Sequence, residues 1–412
     1  MRVVLRPDRR IPSVALHLCY TSGSRHEPPA LCGLAHLCEH LSFRPPRDYG
    51  ARSYTPLIED FGGATGGETF HDRTSFSATL PSNHLSAGLF VEAARMSGGR
   101  ESLTTETLDV QREVVLQELR QRVTNRPYGR SFELVQALLY PREHPYRLPP
   151  GGLPERLRSV TRGDAKAFLE AHYRPGRAVL ALVGDFELDE AMREIENYFG
   201  KIPAGGANGN GTRVESSRFS TARGARREVV TERVPFPRCY LAFRAAGYGQ
   251  RDWYAASLLT RSLAVGRLAP LRRKLVYERG TAQDVQAQAY TMREAATFAF
   301  VATAAAGVDA QSLEADLEEA LDELLAEGVS DVAVSRAKKK ALTDHYSLMQ
   351  RLDRSAEALA CAAAYLDDPA RAENEERLYE GLDADGVTGY GREHCRRDVR
   401  ALLTITPQGV TS

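Results

Sequence analysis

The sequence lacks the features that mark membrane, secreted and nucleic-acid-binding proteins. Nowhere in its 412 residues do about 18 uncharged apolar residues run together, so no transmembrane helix is predicted. The first residues, Met1–Pro7, contain no apolar stretch of signal-peptide length. Lysine plus arginine equals aspartate plus glutamate at 54 each, which leaves no overall field to attract nucleic acid or an anionic membrane. We therefore expect a soluble, cytoplasmic protein with neither nucleic acid nor membrane as a partner.

Cysteine is scarce as well, and its pattern excludes a disulfide framework. The six cysteines include no C-x-x-C pair, a pattern that is typical of free thiols in a reducing compartment. A disulfide framework is therefore not predicted.

Histidine is equally rare, with ten in the chain, yet two of them fall in one H-x-x-E-H motif formed by His36, Glu39 and His40. The surrounding residues, Gly33–Phe43, have the apolar periodicity of a helix. Residues four apart share a helical face, so both imidazoles can converge on one metal ion, with the carboxylate beside them. The order is that of the inverted zincin motif. We predict a zinc site, and the competing interpretation is a core helix with a surface glutamate.

A zinc ion that keeps an open position for water needs a third protein ligand. The helix predicted over residues 105–123 carries Glu118 at the border of its apolar face. Zinc would give this carboxylate a partner, but on the residues alone pairing with Arg122, four positions on, is favoured. Glu113 is a rival that points about 140° away from Glu118, so both cannot face one metal. His26 lies in a loop and is interpreted as solvated or locally paired.

The order of predicted elements indicates two similar units. A strand, a glycine loop and a helix occupy residues 12–42, and the same order recurs at 238–263 without a histidine pair. Residues 203–226 are rich in Gly, Asn, Ser and Arg, which is linker composition. One long helix is predicted at 332–366. We predict a zinc-bearing catalytic domain at 1–202, a Gly-rich linker at 203–226 and a second homologous domain at 227–412.

Strand-like residues follow the metal helix and supply candidate substrate contacts. The stretch Ala64–Leu80 is predicted to form a hairpin or adjacent strands. Within it, Gly66 and Gly67 leave a bare backbone that could pair with an extended peptide, while a flexible turn is an equal alternative. The candidate substrate-binding residues are Ala64, Thr65, Gly66 and Gly67.

Several stretches together resemble the pitrilysin/insulinase family of zinc peptidases, in the short two-domain branch that includes mitochondrial processing peptidases and their bacterial relatives. The resemblance rests on Gly23–Glu27, Gly33–His40, Val114–Glu118 and Leu180–Asp185, and it covers nearly the whole chain. It implies an α+β fold of two similar halves, each an antiparallel-rich sheet covered by helices, enclosing a chamber with a partner chain.

The same resemblance implies the chemistry. Carried over residue by residue, it makes His36, His40 and Glu118 the ligands of Zn²⁺ and Glu39 the catalytic base. The implied activity is that of a zinc-dependent endopeptidase acting on short or unfolded peptides, with removal of a leader from a peptide precursor as one role.

Three features depart from the family pattern. Gln111 stands where a second glutamate usually precedes the ligand by seven residues, and Gly66 stands where the substrate strand usually has Asn. Val276 and Gln283 replace an Arg and a Tyr that active members carry in the second half. This implies the zinc-bearing chain of a heterodimer whose homologous partner supplies the Arg/Tyr pair. A non-catalytic structural subunit and a self-sufficient homodimeric peptidase are the alternatives.

Overall fold

The computed structural model describes residues 1–44, 53–98, 103–204 and 226–408. Strands in these residues are numbered in chain order: β1 (Arg2–Pro7), β2 (Ser13–Tyr20), β3 (Ala64–Thr69), β4 (Thr74–Pro81), β5 (Ala178–Gly184), β6 (Arg226–Glu232), β7 (Arg238–Ala246), β8 (Ala282–Thr291), β9 (Ala295–Ala304) and β10 (Ala401–Pro407).

The helices of the same residues are α1 (Leu34–Leu41), α2 (Tyr54–Asp60), α3 (Leu85–Gly98), α4 (Thr105–Leu119), α5 (Ser131–Leu139), α6 (Pro154–Leu157), α7 (Arg162–His172), α8 (Leu188–Phe199), α9 (Arg251–Ala264), α10 (Pro270–Arg272), α11 (Ala310–Glu327), α12 (Asp331–Met349), α13 (Leu352–Leu366), α14 (Glu376–Glu380) and α15 (Ala384–His394). None of these described helices is long and apolar enough to cross a membrane.

The strands form two sheets of the same order. The first sheet runs β1-β5-β2-β4-β3 and the second runs β6-β10-β7-β9-β8. In each sheet the first pair, β1 with β5 or β6 with β10, is parallel, and the other neighbouring pairs are antiparallel. The predicted α+β fold of two similar halves with antiparallel-rich sheets is therefore confirmed. The sequence pattern did not identify β1 or β6.

The chain divides into two compact units, and their composition differs from the linear division at residue 202. The first unit takes the described residues of Met1–Leu119, Leu148–Arg213 and His345–Glu373. The second takes those of Arg120–Arg147, Val214–Asp344 and Asn374–Ser412. The strands follow the linear division, but α13 belongs to the first unit and α5 to the second. Most of the predicted linker at 203–226 lies outside the described residues.

The core of the first unit shows what α13 contributes. Its buried alanines, among them Ala356, Ala360 and Ala363, pack against Ala15 of β2 and Ala181 of β5. Small side chains on both surfaces allow the helix to lie close to the sheet, and the contact is extensive and apolar. The first sheet is thus covered by a helix from a distant part of the sequence.

The prediction of one helix over 332–366 is wrong. Two helices, α12 and α13, occupy this stretch, and Arg351 between them has extended backbone angles of φ −91° and ψ 128°. Both segments have a helical period, so a break of two residues leaves no signature in the pattern.

The second unit has two cores, one on each face of its sheet. Alternate residues of β7 point to opposite faces, as strand geometry requires. Leu241 and Phe243 pack with α9 and α11 on one face. Tyr240 and Ala242 pack on the other face with Leu139 of α5. A helix from the first half of the sequence therefore covers the second sheet.

Buried histidines in the first unit make its stability dependent on pH. Burial lowers the pKa of His17 from 6.5 to about 4, and His17 is 5% exposed in β2. The unfolded chain therefore binds this proton more readily than the folded protein between these two values. The contribution of neutral His17 to the free energy of unfolding is fully present above pH 6.5, and it is lost as the pH decreases toward 4.

Replacing His17 by leucine removes this contribution. From pH 7 to pH 5 the wild-type protein should lose up to about 2 kcal/mol of unfolding free energy through His17. The H17L variant should lose correspondingly less. Urea denaturation of both proteins at the two pH values, with EDTA throughout so that metal release does not contribute, measures the difference. Equal losses in the two proteins would contradict the assignment.

Candidate metal centre and active site

The helix that carries the H-x-x-E-H motif, α1, is fixed at its N-terminal end by a carboxylate. Both oxygens of Glu27 accept backbone hydrogen bonds, from Gly33 N–H at 2.9 Å and from Ala35 N–H at 2.6 Å. These N–H groups have no partner within the helix, and the positive end of the helix dipole favours the negative charge. Burial raises the pKa of Glu27 to about 8, and the two N–H donors act in the opposite direction.

A close approach of two glycines positions the first histidine. Gly33 and Gly152 have φ values of +106° and +92°, and a Cβ on Gly33 would lie 2.9 Å from the Gly152 Cα. This contact places the carbonyl oxygen of Gly151 3.3 Å from Nδ1 of His36. When Nδ1–H donates to that carbonyl, the lone pair on Nε2 is available to a metal.

A buried ion pair fixes the C-terminal end of α1. Arg95 and Glu92 have no exposed side-chain surface, and their Nε and Oε2 atoms are 3.0 Å apart. Arg95 also donates from Nη1 to the carbonyl of Ser42 at 2.9 Å. Its guanidinium lies 4.6 Å and 4.3 Å from the ring centroids of Phe43 and Phe76. A cation at this end is favoured by the helix dipole and by the aromatic faces.

The structure brings His36, His40 and Glu118 together. The two Nε2 atoms are 3.3 Å apart, and Glu118 Oε2 lies 3.3 Å from Nε2 of His40 and 3.9 Å from that of His36. Tetrahedral zinc with bonds of about 2.0–2.2 Å separates its ligand atoms by about 3.3 Å. The donor set and its spacing therefore fit zinc. Among the described residues this is the one group of His, Cys, Asp and Glu found with metal-binding spacing.

Glu39 lies beside these three residues but is held by another element. Its Oε2 accepts a hydrogen bond of 2.7 Å from Thr69 Oγ1 in β3. The backbone of Gly67 in the same strand approaches so closely that a Cβ there would lie 2.6 Å from Glu39 Oε1. Burial raises the pKa of Glu39 to about 7, while the Thr69 hydrogen bond lowers it. The carboxyl group can thus exchange a proton near neutral pH.

The predicted substrate-binding residues lie on an edge strand. Ala64, Thr65, Gly66 and Gly67 all belong to β3, which pairs with β4 and ends the sheet order of the described strands. One row of its backbone N–H and C=O groups therefore faces away from β4. A Cβ on Gly66 would approach nothing closer than Ser77 Oγ at 3.5 Å.

The other candidates from the sequence lie elsewhere. Glu113 is exposed and is not in the donor group. His26 Nδ1 accepts from Gly23 N–H at 3.2 Å, and burial lowers the pKa of its imidazole to about 4. The regular part of α4 ends at Leu119, and a wider helical turn continues over residues 120–124.

The inner face of α4 includes a polar residue. The helical period of residues 105–123 predicts Leu108, Val115 and Leu119 on this face, and all three are buried. Val110 and Val114, which the same period offers as alternatives, are 54% and 43% exposed. Gln111 is buried on this face, although the apolar pattern does not select it.

The positions that depart from the family pattern have their own contacts. When the Gln111 amide is turned so that its oxygen faces Arg44, that oxygen accepts from Nη2 and Nε at 3.2 and 3.3 Å. Val276 packs against the core of the second unit. Gln283 donates from Nε2 to the carbonyl of Ala304 at 2.8 Å.

Sequence reasoning did not assign a role to Thr69, Glu27 or the Gly151 carbonyl. Thr69 follows Gly67 by two residues, so both lie on the strand face that meets Glu39, and this alternation was a usable signal. The Gly151 carbonyl carried no signal, because any residue type supplies a carbonyl and its placement depends on tertiary structure.

Two family models match the chain. Residues 2–144 match the model described as insulinase (peptidase family M16), and residues 159–341 match the model described as peptidase M16 inactive domain. The second match covers strands β6 to β9, in the half without the histidine pair.

Similar proteins agree with these matches. A protein of Helicobacter pylori named zinc protease PqqE is 24% identical over 98% of this chain and 87% of its own length. A Bacillus subtilis protein named uncharacterized zinc protease YmxG is 23% identical over 99% of this chain and 97% of its own. The crystal structure of a protease from Helicobacter pylori superposes with a TM-score of 0.87 at 21% identity, covering 98% of this chain and 96% of that one. The two models together span most of the sequence, and the chain therefore belongs to the insulinase (M16) family of zinc-dependent metallopeptidases.

Proposed function

We propose that this chain is the zinc-bearing subunit of an endopeptidase that hydrolyses short or unfolded peptides. One observation carries the proposal. The Nε2 atoms of His36 and His40 and Oε2 of Glu118 lie 3.3 to 3.9 Å from one another, and the buried Glu39 lies beside them. These three residues would hold Zn²⁺, since two imidazoles and one carboxylate are a donor set typical of catalytic zinc sites.

When bound, zinc supplies Lewis-acid activation of water and of the substrate carbonyl. Glu39 is the general base that takes a proton from the attacking water and then passes it to the leaving amine. Thr69 holds Oε2 of Glu39 and so limits rotation of the carboxylate. Gly151 fixes the imidazole of His36 in the tautomer that presents Nε2.

The edge of β3 is the proposed substrate site. An extended peptide would add as a strand through backbone hydrogen bonds to Ala64–Gly67. Recognition by the backbone tolerates many side chains and requires an unfolded segment, which agrees with peptides as substrates. Gly66 has no side chain, so at this position only backbone groups are available to the substrate.

We further propose a heterodimer and a cytoplasmic location. Val276 and Gln283 stand where active relatives of this type carry an Arg and a Tyr, so a homologous partner chain would supply that pair. Leader removal from a peptide precursor is the role that we favour. The six cysteines are free thiols, which supports a reducing compartment.

Replacing Glu39 by glutamine should retain zinc and lower peptide cleavage by about 10²-fold to 10⁴-fold, since the amide cannot accept the proton. The assay uses an unstructured peptide library read by mass spectrometry, with the chain alone and with the homologous Arg/Tyr-bearing chain. Metal content is measured in parallel. Full activity in E39Q would overturn the assignment of the base. Chelator-sensitive cleavage by the wild-type chain alone would show that the enzyme is self-sufficient, and it would overturn the proposal of a heterodimer.

Replacing Glu118 by glutamine should weaken zinc binding by at least about tenfold, because a neutral amide is a poorer ligand than a carboxylate. Competition with a chromogenic chelator measures the affinity. The matched control is E113Q, which makes the same change on the exposed side of the same helix and should leave the affinity unchanged. A larger loss of zinc affinity in E113Q than in E118Q would mean that Glu113, and not Glu118, is the ligand.

Replacing Thr69 by valine removes the hydrogen bond to Glu39 at nearly constant shape. We expect kcat to fall about tenfold with little change in KM and none in zinc content, since the residue acts through the orientation of Glu39. T69S keeps the hydroxyl and should restore most of kcat. The idea fails if T69V keeps full activity, or if T69S is impaired as strongly as T69V, because loss of the hydroxyl would then not explain the effect.

A further inference from the structure

A short loop presents the carbonyl that faces His36, and this loop has little freedom of its own. In the stretch 148–152, the rings of Pro149 and Pro150 fix the backbone angle φ at about −65°. The N–H of Gly152 donates to the carbonyl of Pro149 at 3.0 Å, which closes the stretch as a tight turn. The position of the Gly151 carbonyl therefore depends on where this turn is anchored.

The end of the loop is anchored by the close contact of Gly152 with Gly33, and its start by a buried histidine. Nε2 of His71 lies 2.9 Å from the carbonyl oxygen of Leu148. A carbonyl oxygen only accepts, so Nε2 carries a proton and His71 is the donor. His71 is 3% exposed, and burial lowers its pKa to about 4. The imidazole is therefore neutral at neutral pH, and its hydrogen bond to the loop is shielded from water.

His71 is itself held in place, because it lies in the turn between β3 and β4. Its carbonyl accepts from the N–H of Arg25 at 2.9 Å. The next residue, Asp72, forms an ion pair of 2.7 Å with Arg25, and both side chains are nearly completely buried. Displacement of one partner of a buried ion pair leaves an uncompensated charge, which is strongly unfavourable. The turn is therefore a firm support for the loop.

The same turn follows the strand that holds the proposed base. Thr69, two residues before His71, donates to Glu39 at 2.7 Å. One short segment thus acts on Glu39 directly and on His36 through the loop. Two functional side chains of α1 are oriented from the same place.

We propose that His71 is a positioning residue of the metal centre. By donating to Leu148 it anchors the loop, so that the Gly151 carbonyl keeps the proton of His36 on Nδ1 and leaves Nε2 to the metal. This inference rests on the proposed zinc site. Loss of a direct partner of a metal-ligating histidine typically lowers metal affinity by about 10-fold to 100-fold. His71 acts one step further out, so we expect a loss of about threefold to tenfold.

Replacing His71 by phenylalanine keeps a ring at this position and removes the donor. In the full chain, H71F should bind zinc about threefold to tenfold more weakly than the wild type, as measured by competition with a chromogenic chelator. The amide of H71Q donates from nearly the same position as Nε2, so this variant should regain most of the affinity. The visible absorption of Co²⁺ bound in place of zinc reports the geometry of the ligands. This spectrum should change in H71F and return toward that of the wild type in H71Q, and neither readout depends on catalytic activity.

The matched control is H17L, which removes another buried histidine of the same unit, on the sheet face that α13 covers. It should leave the zinc affinity unchanged. A loss in H17L equal to that in H71F would mean that a general loss of stability weakens the site, and it would overturn the proposal. A loss in H71Q as large as that in H71F would overturn it too, because the donor would then not explain the effect.

The variant E118Q in the same assay separates this inference from the proposed function. If E118Q loses affinity while H71F keeps both its affinity and its Co²⁺ spectrum, the zinc site stands and only the role of His71 is overturned. If the wild-type chain binds no zinc, the proposed function falls and this role with it.

Circular dichroism checks the fold of each variant. If H71F does not fold, H71N decides, since asparagine is too short to reach Leu148 from the same backbone position. The same loss of zinc affinity is then expected, and an unchanged affinity in H71N would overturn the proposal.

Discussion

The metal centre depends on holding α1 rigidly at both ends. The helix is only eight residues long, too short to be stable by itself in water, yet two of the three donor atoms project from it. Glu27 binds its N-terminal N–H groups, and Arg95 binds the Ser42 carbonyl just beyond its C-terminus. The Glu92–Arg95 pair is completely buried, and loss of one partner from such a pair typically costs about 3–5 kcal/mol. The buried ion pair thus helps to fix the helix that carries the proposed zinc ligands.

The different roles of the acids follow from where each one is held. Glu39 and Glu118 both lie close to His40, but Glu39 is bonded by Thr69 in β3, whereas Glu118 projects from α4 toward the imidazoles. Burial of Glu39 disfavours its charged form, and the neighbouring charge of Glu118 adds to this effect. Glu39 is therefore suited to exchange protons near neutral pH, as its proposed role as base requires.

Much of the fold and part of the site could be predicted from local pattern. The motif residues lie on one helix, so their spacing alone brings His36 and His40 together. Glu118 is 78 residues beyond His40 and lies at the border of an apolar face. Its local sequence fits a metal ligand and a surface glutamate paired with Arg122 equally well, and only the family resemblance favoured the ligand. The Gly151 carbonyl and the Arg95 pair are tertiary contacts, and their residue types carry no local signature. The break at Arg351 was missed for the opposite reason, because the local pattern on both sides is too regular.

Helix α13 belongs to the first unit although it is translated long after the strands that it covers. This order has a consequence for how the protein forms during synthesis. All the strands of the first sheet have been made once residue 184 has been translated, but Ala15, Val179 and Ala181 stay without their cover until Ala356, Ala360 and Ala363 emerge. While residues 185–355 are being translated, the nascent chain therefore carries an incomplete apolar surface. Such a surface is a target for chaperones and an opportunity for aggregation. The proposed zinc site, although encoded within the first 118 residues, belongs to a unit whose core closes only after Ala356, Ala360 and Ala363 have been made.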